Sequence, residues 1–118
     1  MTVREFYEKT DSNYEEALGR LRKEERMAKY LGMFLSDDSF ALLKDSMEKD
    51  DMETAFRAAH TLKGVCANLS LSRLFKLSSD LTEDLRNGRD IPHAKEAYPA
   101  LAAFYEEVTA AIKELTTA

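Results

Sequence analysis

The chain of 118 residues holds few side chains that could do covalent or metal chemistry: two histidines and one cysteine. One histidine stands in informative company, in the segment Ala59-His60-Thr61-Leu62-Lys63-Gly64. Imidazole in water titrates near pH 6.5, so at neutral pH it offers a ring nitrogen with a free lone pair. Such a nitrogen can attack a phosphorus atom. A lysine three residues further along a helix lies within reach of a phosphoryl group on the ring. Its charge offsets the negative charge that builds on the phosphoryl oxygens.

The segment reads as a helix from Met52 to Leu69, capped by Asp50 or Asp51. At about 100° per residue, Met52, Ala55, Ala59, Leu62, Cys66 and Leu69 form an apolar stripe nearly opposite His60. Ala58 and Val65 widen the stripe, and Cys66 reads as a small buried hydrophobe. His60 therefore faces solvent, with Glu53, Phe56, Arg57, Lys63, Gly64 and Ala67 around it. A glycine inside a helix costs roughly 1 kcal/mol relative to alanine. Gly64, one turn after His60 and off the core stripe, clears with Ala67 a shallow floor for another molecule. Arg57 and Lys63 flank the ring with positive charge, and Phe56 adds an apolar rim.

The remaining elements must hold that helix. Only four Gly and two Pro occur, and abundant Ala, Leu, Glu and Lys favour an all-α chain. Two short helices start at capping boxes, Thr2 with Glu5 and Ser12 with Glu15, and Gly19 ends the second. A helix from Glu24 to Leu35 buries Met27, Leu31, Phe34 and Leu35. After Ser36-Asp37-Asp38-Ser39, a helix from Phe40 to Lys49 turns Leu42, Leu43 and Met47 inward. Beyond the bend at Ser70-Leu71-Ser72, a helix from Arg73 to Asn87 carries Leu74, Leu77, Leu81 and Leu85. Asn87-Gly88 stops it. The last helix spans His93 to Leu115, with Pro99 as a kink or as its true start. Short loops predict an antiparallel up-and-down four-helix bundle over 24–115, with the short helices of 1–22 capping one end of a single domain.

Composition removes several function classes. A net charge of −5 argues against nucleic acid and anionic membranes as partners. No apolar run approaches the roughly 20 residues of a membrane span, and Met1 is followed by polar residues. A lone cysteine forms no internal disulfide, so a cytoplasmic location is expected. Metal is not expected. Di-iron bundles use Glu-x-x-His, whereas Arg57 and Asp90 precede the two histidines here, and structural zinc needs more Cys and His. No Gly-rich phosphate loop is present, and the chain is too short to include a kinase domain.

The segment around His60 resembles the His-x-Leu-Lys-Gly signature of histidine phosphotransfer (HPt) domains. Ala67 and Leu69 extend the match, as do an acidic residue at the helix start and the leucines of the following helix. It covers about residues 27 to 115. The resemblance implies a carrier that accepts a phosphoryl group from a receiver-domain aspartate and passes it to another, with no ATP-dependent kinase activity of its own. His60 carries over as phosphoacceptor, Lys63 as the phosphate-stabilising cation and Gly64 as the residue that makes room. The implied partners are response-regulator receiver domains and hybrid sensor kinases, with Mg2+ expected on the receiver and no cofactor on this chain. A monomer is expected, and Met1 with the capped first helix favours a free-standing protein. The chain departs from the family at Ser70, where glycine is common; a serine there can cap the next helix. Thr82 and Arg86, on the helix that folds back past His60, are candidates for contact with the phosphoryl group or else ordinary surface residues. The alternative function is a helical interaction module that binds a receiver or kinase without transfer. Loss of the His or the Lys would mark it, and both are present.

Overall fold

The computed structural model describes residues 1–117. Among them the chain forms only helices: α1 (Val3–Lys9), α2 (Tyr14–Leu21), α3 (Glu24–Phe34), α4 (Ser39–Glu48), α5 (Met52–Asn68), α6 (Ser72–Leu85), a 3₁₀ turn (Arg86–Gly88) and α7 (Ile91–Thr117). Tight connections make α4 to α7 successively antiparallel, so they form an up-and-down bundle. α5 lies between α4 and α6, α6 packs on α7, and α3 lies against α2 and α7. The rings of Phe40 and Tyr105 stack at 4.0 Å between α4 and α7. α5 meets its neighbours through Ala55, Ala58, Ala59, Leu62 and Cys66, all buried. Three alanines in that set let the adjacent helices approach closely.

Several boundaries differ from expectation for identifiable reasons. Thr2 and Glu5 form the full capping box at α1. At α2 the cap is Asn13, whose side chain accepts from the Glu16 N–H, because the Ser12 hydroxyl is engaged with Thr10. Gly19 does not end α2. The helix runs to Leu21 and stops at Arg22, whose φ is +79°. Leu42 is 47% exposed, not inward. The stacking of Phe40 on Tyr105 sets the phase of α4, so Phe40 and Ser46 are buried together with Leu43, which does turn inward as expected. α7 begins at Ile91, before His93, with the Asp90 carboxylate accepting the His93 N–H. Pro99 lies inside α7 on its exposed side, where the Lys95 carbonyl it leaves unpaired can bond to water.

Candidate functional site

α5 is fixed at both ends, and this sets the direction of His60. At its start the Asp51 carboxylate accepts from the Thr54 N–H at 3.2 Å and the Thr54 hydroxyl at 2.6 Å. Those bonds, the hydroxyl's above all, hold the Asp51 carboxyl below the usual carboxylate range. Asp51 is thus the cap, while Asp50 takes φ +56° and pairs with Lys95. At the far end the Leu71 N–H reaches the Cys66 carbonyl and the Ser70 N–H reaches that of Ala67. This is the Schellman reversal, which needs its first residue beyond the helix cap in the left-handed region. Ser70 occupies that position at φ +55°. The position favours glycine for this backbone reason. Ser70 does not cap α6; its hydroxyl donates to Glu16.

With the core stripe inward, His60 lies exposed on the outer face of α5. The Phe56 ring lies beside it, 6.1 Å away between centroids. Lys63 is half-buried, its ammonium 5.9 Å from the Phe75 ring centre. Gly64 is exposed, and a Cβ added there would meet nothing within 4 Å. Arg57, also exposed, pairs with Glu53 at 3.1 Å. Ala67 is half-buried beside Phe75, Ser70 and Arg20. A recess of about 500 Å³ opens beyond Phe56, lined also by Met52, Glu53, Arg57 and Leu85. The arrangement presents an exposed imidazole with cations within a turn on either side.

The family model of the Hpt domain matches residues 29–117. The chain belongs to the Hpt domain family. No curated protein and no solved structure matches it. Hpt domains serve histidine phosphotransfer in phosphorelays and interact with receiver domains and kinases. Among the described residues of this Hpt domain, no helix is long and apolar enough to cross a membrane.

The fold gathers His60, Lys63, Gly64, Ala67, Phe56 and Arg57 on one helix face, but it separates the two candidates on α6. Thr82 is fully buried and its hydroxyl donates to the Ser78 carbonyl at 2.7 Å, so it is no part of the exposed face. Arg86 does reach the site, with its guanidinium carbon 5.0 Å from the centre of the Phe56 ring. Cys66 is buried, and desolvation pushes its thiol up to about 12, which leaves it inert at neutral pH.

Three contributors were not singled out from the sequence. Glu83 pairs with Arg86 at 3.1 Å and with Arg89 at 3.6 Å. The spacing of Glu83 and Arg86 on one helix was the signal for that pair. Phe75 sits beneath Lys63. Arg20 donates to the carbonyls of Ala67 and Asn68 at 2.7 and 2.8 Å. Only the tertiary fold brings Arg20 there, so no local pattern announces it.

Proposed function

We propose that this Hpt domain carries a phosphoryl group on His60, taking it from the aspartyl phosphate of one receiver domain and delivering it to the aspartate of another. The observation that carries the reading is an exposed imidazole with open space at Gly64 and the Lys63 ammonium one turn away. In the forward step a ring-nitrogen lone pair forms the N–P bond. The acyl-phosphate P–O bond breaks, and its electron pair leaves on the aspartate carboxylate. His60 is exposed, so the other ring nitrogen can release its proton to solvent. Lys63, together with the edge of the Arg86 guanidinium that Glu83 leaves free, lowers the cost of charge on the transferring oxygens. Gly64 and Ala67 give the receiver room to bring the reacting atoms within about 3–3.5 Å. The expected Mg2+ belongs to the receiver, and the domain acts as a cytoplasmic monomer without kinase activity of its own.

The test incubates the purified protein with a panel of phosphorylated receivers and follows the label. An acid-labile, alkali-stable label is expected, as for a phosphoramidate. His60→Gln should abolish it while the helical circular dichroism is unchanged. Label that persists in the variant, or survives acid, removes His60 from this role. Binding without any transfer would assign the interaction-module alternative.

A further inference from the structure

Arg86 can serve a phosphoryl group on His60 only if it is held on that side of α6. It sits where α6 breaks into the 3₁₀ turn, a place where a long side chain has many directions open to it. Its Nε lies 3.3 Å from both carboxylate oxygens of Glu83, and its Nη2 lies 3.1 Å from Oε2. This uses one edge of the planar fork. Nη1 makes no hydrogen bond among the described residues. The guanidinium carbon rests 5.0 Å from the centre of the Phe56 ring, and that ring also lies 6.1 Å from the His60 ring.

Glu83 gathers more than Arg86. Arg89 reaches its Oε1 at 3.6 Å, and Lys63 is close enough to help hold its carboxyl below the usual range, after Arg86 and Arg89. One carboxylate among three cations leaves the flank positive, so Glu83 organises the charge without cancelling it.

We propose that Glu83 is a positioning residue for phosphoryl transfer: it pins one edge of Arg86 against Phe56 and leaves the other edge turned toward the phosphoryl group on His60. The inference rests on His60 being the phosphoacceptor. Fixing a rotamer-rich side chain before the reaction spares the transition state that ordering cost.

The experiment compares the full chain with Glu83→Gln, Arg86→Ala and the double variant, each checked for an unchanged helical signal. The first reading is the rate of transfer from a phosphorylated receiver. Glu83→Gln should slow it about two- to fivefold, the scale of one surface ion pair. In the Arg86→Ala background the Glu83 change should cost nothing further, because Glu83 acts through Arg86. Transfer by Glu83→Gln at the wild-type rate or faster overturns the proposal, as does an equal slowing in both backgrounds. The second reading needs no phosphate: the Arg86 Nε–H resonance in NMR should be sharp in the wild type and lost in Glu83→Gln. A wild type that takes no label defeats the carrier reading alone. In that case a resonance indifferent to Glu83 overturns the positioning arrangement as well, and one that depends on it upholds the arrangement.

Discussion

The two histidines occupy opposite kinds of surroundings. His60 lies mid-helix on α5, its ring in no side-chain hydrogen bond or ion pair among the described residues, with the Phe56 ring beside it. His93 lies in the first turn of α7, its Nδ1 at 2.5 Å from the Asp84 carboxylate. That bond, and the charge behind it, raises the His93 pKa above the ordinary imidazole value. His93 therefore keeps its proton to higher pH, and one ring nitrogen is committed to holding α6 against α7. Asp84, Asp90 and His93 place ligand-type atoms within 4.8 Å of one another, but Asp90 caps α7 and Asp84 holds His93, so they already satisfy each other. The residue type is the same. What separates a free ring from a corner brace is whether a carboxylate has claimed it.

The sharpest way to break this contrast is to remove each ring. His60→Gln should eliminate labelling completely, and His93→Gln should leave it within about twofold of wild type, as distant surface changes usually do. Labelling lost from both would show that the environments do not differ as described.

Next in size is Lys63→Ala. It should slow transfer on the order of ten- to a hundredfold, the scale of a lost charge-assisted contact. Its melting temperature should barely move, since surface changes seldom exceed about 0.5 kcal/mol. Lost stability with normal transfer would make Lys63 a structural residue.

A smaller effect, with opposite signs in two assays, is expected at Gly64. Open space at its Cβ position means that Gly64→Ala should stabilise α5 by up to about 1 kcal/mol and transfer nearly normally. Gly64→Gln should also keep its stability, yet bind receivers weakly and transfer slowly. Thermal unfolding paired with transfer kinetics reads both, and a Gln variant that unfolds early but transfers well would count against a docking floor.

The smallest effect belongs to the brace. Because the folded pKa of His93 is raised, its contribution is complete below the unfolded value near 6.5. It fades as pH rises through the folded value. Melting temperature followed from pH 6 to 9 should decline slightly through this contribution, and His93→Gln should lose that part of the slope.

Most of the fold and the centre of the site were legible before any coordinates, because both follow from helical period. The stripe opposite His60 is buried as the wheel requires, with Met52 and Val65 half-buried at its edges. Helix ends were read less well. Gly19 was the expected terminator of α2, yet that helix stops at Arg22, and three other reversals place Asp11, Asp50 and Ser70 at φ near +55°. Short polar side chains tolerate that region better than most, so Gly19 misled while the true stops were polar residues without a distinctive pattern. Leu42 was misplaced because a ring stack on another helix, invisible to local period, set the phase of α4. Thr82 was misread for a related reason: helical spacing allows a hydroxyl to satisfy itself on the carbonyl four residues back and go inside.

The last turn of α5 is secured from far along the chain. The Tyr7 hydroxyl donates to the Leu69 carbonyl across 62 residues, and Arg20 spans 47 to reach Ala67. These partners lie in 1–28, outside the stretch matched by the family model. The α5–α6 hairpin closes locally, whereas these bonds close long loops and carry the larger entropy cost of doing so. Loop entropy therefore favours closure of the hairpin first, with the N-terminal helices as a late clasp on it. The last turn of α5, which carries Ala67, inherits its anchorage from helices far from His60 in sequence.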